Sequence, residues 1–230
     1  MNLDFVLANE IKYIIKEKQL KEGECLPSER ELCAIFNVQR LTIRSALHLL
    51  EEEGMIYTKP KSGYYVNKPR VIINAKNIAS LTNELFSLSN NVLTKLISFE
   101  KIEVGKHFIA CLKLLIGTPI YIVKRLRIVD DDPVCVNISY IPVAKCPDLD
   151  KYDLEKGSLY KIINDEYHIQ LKKSEQIVDV VYADKTILPL LKIQSHEKII
   201  YQHGSVFDNN DNLIEYSESY MKPNRFMYKS

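Results

Sequence analysis

The chain has 230 residues, 46% hydrophobic and 27% charged, which excludes a disordered, collagen-like or low-complexity polymer and leaves room for one large domain or two smaller ones. No run approaches the roughly 18 consecutive apolar residues of a membrane span. The first twenty residues carry Asp4, Glu10, Glu17 and three lysines instead of a signal-peptide core, so a cytoplasmic protein with no membrane partner is expected. The net charge of +1 announces no polyanion partner, but its distribution is uneven. Residues 1–38 hold five basic against seven acidic side chains, whereas residues 39–70 hold six against three. Five cysteines with no C-x-x-C pair suit buried free thiols in a reducing compartment.

Phe5, Ala8, Ile11 and Ile15 recur at spacings of three and four, so residues 3–18 read as an amphipathic helix that stops before Gly23. Leu26-Pro27-Ser28-Glu29-Arg30-Glu31 is the next start signal. Ser28 is its N-cap and Glu31 follows at the spacing that satisfies two orphan amides reciprocally. Leu32, Ile35 and Phe36 give this second helix its apolar face. Asn37-Val38 interrupts the pattern, which resumes through Ile43, Leu47 and Leu50 as far as Gly54. Two helices joined by so short a turn cross steeply, which is helix-turn-helix geometry. Met55–Lys59, the turn Pro60-Lys61-Ser62-Gly63 and Tyr64-Tyr65-Val66 then form a two-stranded wing. Arg40, Thr42 and Arg44 occupy alternate positions early on the third helix, near the end that approaches base edges. Arginine reads guanine O6 and N7 bidentately, and a threonine donates to phosphate.

The stretch LPSERELCAIFNVQRLTIRSALHLLEEEGMIYTKPKSGYYV resembles the winged helix-turn-helix of the GntR family of bacterial transcription regulators. With the preceding helix, the resemblance covers most of residues 5–66. It implies that Arg30, Arg40, Thr42 and Arg44 contact a double-stranded operator, with Lys61 and Gly63 at the wing. Gln39 stands where the family usually has a Ser or Thr cap, a departure that bears on how firmly the third helix starts.

Residues 69–92, with Pro69 and an Asn/Ser-rich run, read as a linker carrying a short helix around Leu81–Phe86. It separates a DNA-binding domain, 1–68, from a second domain, 93–230. There the pattern gives strands over Val92–Val104, Pro119–Val129 and Val134–Pro142, with a hairpin turn at Asp130-Asp131-Asp132 and a helical stretch near Lys106–Leu115. Ser158-Leu159-Tyr160 opens a helix, Ile169–Tyr182 is a long strand and Asp184–Leu191 a short helix. Lys198–Phe207 and Leu213–Met221 form a last hairpin through Asn209–Asn212. The fold class is α+β: a winged helix-turn-helix followed by a mostly antiparallel sheet domain.

Lys124-Arg125-Leu126-Arg127, Ser139-Tyr140-Ile141-Pro142, Ser158-Leu159-Tyr160 and Ile214-Glu215-Tyr216-Ser217-Glu218-Ser219-Tyr220 resemble, in order and spacing, the motifs of the UTRA effector-binding domain. That domain has a chorismate-lyase-like fold and marks the HutC branch of the GntR family. Arg125 and Arg127 alternate, so a strand turns both to one side, where they can clamp a carboxylate or phosphate. Ser158 at a helix start adds free amides and a favourable dipole for an anion. By the resemblance, Tyr140, Tyr160, Glu215 and Tyr220 line the remainder of the site, although packing within the sheet is the competing role for the tyrosines. Asn137 stands where the family often has Glu, and His168 where it usually has Gly, so the effector need not be the amino-sugar phosphate of some relatives.

No H-E-x-x-H, Cys/His metal spacing, G-x-G-x-x-G, phosphate loop or G-x-S-x-G occurs, so no metal, cofactor or catalytic residue is expected. An enzymatic second domain is the alternative, resting on fold analogy alone. The expectation is a homodimeric, ligand-responsive regulator, a repressor released from its operator by a small anionic effector such as a phosphorylated sugar.

Overall fold

The computed structural model describes residues 3–60, 62–67, 70–74, 81, 84–85, 91–106, 112 and 114–229. The chain divides into two compact units, Met1–Arg70 and Val71–Ser230.

In the first unit, α1 (Leu3–Glu17), α2 (Glu29–Phe36) and α3 (Arg40–Glu52) precede the antiparallel pair β1 (Ile56–Lys59) and β2 (Gly63–Val66). One core joins them. Leu7, Ala8 and Ile11 of α1 pack with Leu32 of α2, with Ile43, Ala46, Leu47 and Leu50 of α3, and with Ile56 and Val66 of the wing. The inward face of α1 is thus rotated from the one read in the sequence, and Phe5 is largely exposed. Ser28 and Glu31 form the reciprocal capping box. Asn37 takes the left-handed conformation that ends α2, at φ 53°, and lets α3 start three residues later. Gln39 caps α3 without a side-chain hydrogen bond, so its departure from the family pattern costs α3 that cap.

The second unit is built on an antiparallel sheet of β4 (Val92–Glu103), β5 (Pro119–Val129), β6 (Asp132–Pro142), β7 (Leu171–Tyr182), β8 (Lys198–Asp208) and β9 (Leu213–Met221). Their spatial order is β4-β5-β6-β9-β8-β7. Asp130 and Asp131, both at positive φ, make the β5–β6 turn. Two elements escaped the sequence reading: β3 (Val71–Asn74), inside the stretch read as linker, pairs in parallel with β10 (Phe226–Lys229). Helices α4 (Leu159–Tyr167) and α5 (Leu188–Leu191) complete the described elements of regular length. The helices read around Leu81–Phe86 and Lys106–Leu115 lie largely outside the described residues. Cys135 and Cys146 are buried free thiols, whereas Cys25 is exposed.

The strand period of two gives the sheet two faces. On one, Tyr121, Val123 and Ile141 pack against Leu159 and Ile163 of α4. Farther along the same face, Val129, Cys135 and Met221 pack with Val71 and Phe226. Between these apolar clusters lies a polar band. Its register aligns Arg125 with Asn137, Asn137 with Ser219, and Ser139 with Ser217. The opposite face carries Leu126, Val136 and Tyr220, packed with Ile187 and Leu191 beside α5.

Gly204 on β8 lies opposite Gln176 on β7. A Cβ there would fall 1.9 Å from the Glu175 carbonyl oxygen, a backbone atom that cannot swing away. Gly204→Ala is expected to destabilise the protein by about 2 to 3 kcal/mol, the cost of an overpacked site. Urea denaturation of the full chain measures it; a change below about 0.5 kcal/mol would mean that β7 and β8 part there without strain.

Candidate nucleic-acid interface and effector site

An open concavity of about 860 Å³ on the first unit is lined by residues from α2, α3 and the wing. It brings together Arg30, Arg40, Arg44 and Gly63 of the expected DNA contacts, and adds Lys59, Ser62 and Tyr64. Thr42 is half-buried in the first turn of α3 and does not line it. Lys61 lies outside the described residues. Lys59 sits 4.2 Å from the centre of the Tyr65 ring, a cation–π contact that braces the wing's basic side chain. Tyr57 and Tyr65 stack across the two strands.

Glu29, read in the sequence only as part of the capping segment, is the centre of this surface. Its carboxylate accepts hydrogen bonds from Arg40 Nε and from Arg44 Nε, the second at 2.9 Å. The sequence holds a weak signal for this: Glu29 stands beside Arg30 at the start of one helix and Arg40 and Arg44 at the start of the next, but only the turn between α2 and α3 brings residues 29, 40 and 44 together.

In the second unit the polar band is buried. Arg125, Arg127, Asn137, Ser139, Ser158, Glu215 and Ser219 are all at most 8% exposed. Arg125 Nη2 donates to Asn137 Oδ1 at 3.1 Å, and Asn137 Nδ2 donates to Ser219 Oγ at 3.0 Å. Arg127 Nη1 donates to Thr94 Oγ1. Yet among the described residues Arg125 Nε and Nη1 and Arg127 Nε have no hydrogen-bond partner. Tyr160, in the first turn of α4, donates to Glu215 Oε2 at 2.6 Å, and so ties the helix start to the cluster. Ser158 caps that helix, its Oγ accepting from the Lys161 amide at 3.4 Å.

Burial, reinforced by the charge of Arg125, pushes Arg127 down to about 9, still charged at neutral pH. Burial also lowers Arg125, opposed by Glu215. Glu215 is raised by burial, against the hydrogen bonds of Ser139 and Tyr160 and the two arginines. Among the described residues, the two buried guanidinium groups therefore share the buried carboxyl of Glu215.

Two expected site residues fall elsewhere. Tyr140 and Tyr220 lie on the opposite face of the sheet, because the strand period separates them from Asn137 and Ser219. Tyr140 donates to Glu218 at 2.9 Å, and the Tyr220 ring stacks on Tyr201. Both tyrosines thus make their described contacts on the face away from Arg125 and Arg127. Thr94 and Asn137 partner the arginines but were missed as site residues. His168 ends α4 at φ 56°, the left-handed position that explains a family preference for glycine there.

A wing and recognition helix in one unit, and a sheet with a buried cationic band in the other, define a DNA-binding transcription regulator with a sensor domain. The UTRA domain matches residues 87–227, and the gntR family of bacterial regulatory proteins matches residues 6–66. The chain belongs to the GntR family and carries a UTRA domain. It is similar to the probable fructoselysine utilization operon transcriptional repressor of Shigella flexneri, 25% identical over 88% of this chain and 83% of that one. It is also similar to the HTH-type transcriptional repressor NagR of Bacillus subtilis (strain 168), 24% identical over 97% and 92%. The crystal structure of PhnF from Mycobacterium smegmatis shares the fold, with a TM-score of 0.84 and 20% identity over 97% of each chain. Among the described residues no helix is long and apolar enough to cross a membrane, and no group of three or more His, Cys, Asp or Glu is placed to hold a metal ion.

Arg44→Ala is expected to weaken binding to a selected DNA site by about 1 to 3 kcal/mol and to relax preference at one base pair. A gel-shift titration against single-base variants measures both; unchanged affinity and preference would remove Arg44 from base readout.

Proposed function

We propose that the chain is a homodimeric repressor that reads a near-palindromic operator and releases it when a small anionic metabolite, such as a phosphorylated sugar, occupies the buried band of the second unit. One observation carries this reading: three buried guanidinium nitrogens of Arg125 and Arg127 have no partner among the described residues. Unpaired buried donors are rare in folded proteins, and an unpaired charge is costlier still. A carboxylate or phosphate seated on the two forks would satisfy the nitrogens and offset the excess positive charge. Ser158, at the start of α4, adds its helix amides, while Tyr160 and Glu215 suit the hydroxyls of a sugar. On DNA, Arg30, Arg40, Thr42, Arg44, Lys61 and Gly63 are the proposed contacts. The names of the relatives support repression. Two-fold protein symmetry would match the two half-sites of the operator.

Release requires that the metabolite favour the arrangement that cannot grip DNA, since equal affinity for both arrangements shifts nothing. The chain passes from one unit to the other at Arg70–Val71, within the stretch 69–92 that is the proposed route.

A thermal-shift screen of phosphorylated sugars and amino-acid derivatives tests the reading. A ligand at a hundred times its Kd should add about 2.7 kcal/mol of apparent stability and free a bound operator fragment. Arg127→Gln should abolish both responses while DNA binding persists. A metabolite response that survives both Arg125→Gln and Arg127→Gln would overturn this placement of the effector.

A further inference from the structure

Glu29 is an odd residue to find on a surface that meets phosphate. A carboxylate there repels the DNA backbone and weakens the charge attraction on which all sequences draw. Its surroundings give it a different task. The side chains of Arg40 and Arg44 are 68% and 55% exposed, but that of Glu29 is only 14% exposed, held beneath them at the first turn of α2. The positive end of the α2 dipole favours a carboxylate at this place. Arg40 and Arg44 are one turn apart on α3, where like charges push each other away. Glu29 meets both through Nε, and the Nη1 and Nη2 nitrogens of neither arginine are engaged by a described residue. The Tyr64 hydroxyl of the wing comes to 3.5 Å from the same carboxylate, so α2, α3 and β2 converge on it.

We propose that Glu29 is a positioning residue for sequence readout: gripping both guanidinium groups by Nε, it turns their Nη1/Nη2 ends outward for end-on contact with base edges. This rests on the assignment of Arg40 and Arg44 to the DNA interface. The geometry spends one unfavourable charge near phosphate and gains two forks whose rotamers are fixed before DNA arrives. Fixing them in the free protein lowers the ordering cost of binding, which for an arginine is otherwise large. The carboxylate is ionised at neutral pH: partial burial works against the charge, but hydrogen bonds from Arg40 and Arg44 hold its pKa below the usual range. Specific and non-specific binding are therefore affected with opposite signs. Losing the negative charge strengthens attachment to any duplex, and losing the orientation weakens attachment to the preferred one.

The experiment uses the full chain and two duplexes: one selected by the wild-type protein from a random-sequence library, and a shuffled duplex of the same composition. Glu29→Gln, near in shape but uncharged, should bind the selected duplex roughly tenfold more weakly, and the shuffled duplex equally or more tightly. In an Arg40→Ala, Arg44→Ala background the same substitution should leave the selected duplex's affinity within about twofold, because nothing remains to be positioned. Glu29→Asp, which restores the charge on a shorter stem, should recover part of the discrimination. A parallel rise in affinity for both duplexes would reduce Glu29 to a repulsive charge and overturn the proposal. So would a parallel fall accompanied by a lower unfolding temperature, which would make it a folding residue. Failure of the wild-type protein to enrich any duplex would instead overturn the assignment of the arginines to DNA readout.

Discussion

A guanidinium group carries its charge at every physiological pH and offers five donors in a rigid fork, so the structure around it must supply acceptors or bear the cost. Both units of this chain are organised by that constraint, and they meet it differently. On the first unit the forks of Arg40 and Arg44 stand in water with a carboxylate beneath them. Water satisfies what Glu29 does not, and the ion pairs themselves add little stability. Their value is geometric.

In the second unit the same group is placed where water is excluded. Arg125 and Arg127 interrupt a strand that is otherwise apolar on this face, with Tyr121 and Val123 on one side and Val129 on the other. Substituting aliphatic residues for the arginines would join the two flanking clusters into one continuous core, so stability does not account for them. Asn137 sharpens the point. A carboxylate at that register position would neutralise Arg125, whereas the amide supplies one acceptor and no charge. Glu215 is the counter-charge that acts on both arginines among the described residues, and its pKa is raised because burial outweighs its hydrogen bonds. The band thus holds more positive charge than Glu215 alone compensates.

Local signals were the legible ones. The capping box at Ser28, the interruption at Asn37-Val38, the wing and the turn at Asp130-Asp131 each depend on a few adjacent residues, and each formed as the pattern implied. What depended on distance did not appear. β3 and β10 are four residues each and pair across more than 150 positions, with no turn to announce them. Glu29 meets Arg40 and Arg44 only after two helices cross. The placement of Tyr140 and Tyr220 was legible but unread: Arg125 and Arg127 define one parity on their strand, and Glu215 and Tyr220, five residues apart on β9, cannot share a face.

Packing continuity within the second unit gives an effector a physical reach beyond its own contacts. The strand that carries Arg127 ends in the β5–β6 turn, immediately before Asp132. Asp132 pairs with Lys222 at 2.6 Å and faces Arg225 at 3.6 Å. The Arg225 carbonyl in turn accepts from the amide of Val71, at 2.7 Å, where β3 begins. Asp130 and Asp131 of the turn are exposed, but Asp132, Lys222, Arg225 and Val71 are buried or half-buried, so the close-packed part of the series runs from Asp132 to the start of β3. Continuity alone is not coupling, however. It becomes coupling only if the β3–β10 pair has two arrangements that the buried charge distinguishes, because a ligand moves an equilibrium by no more than its differential affinity for the two ends. The uncompensated charge is what makes such a difference available: an anion that neutralises it removes a cost specific to the empty arrangement, and whichever geometry of the strand pair closes best around the neutralised site is favoured by that amount.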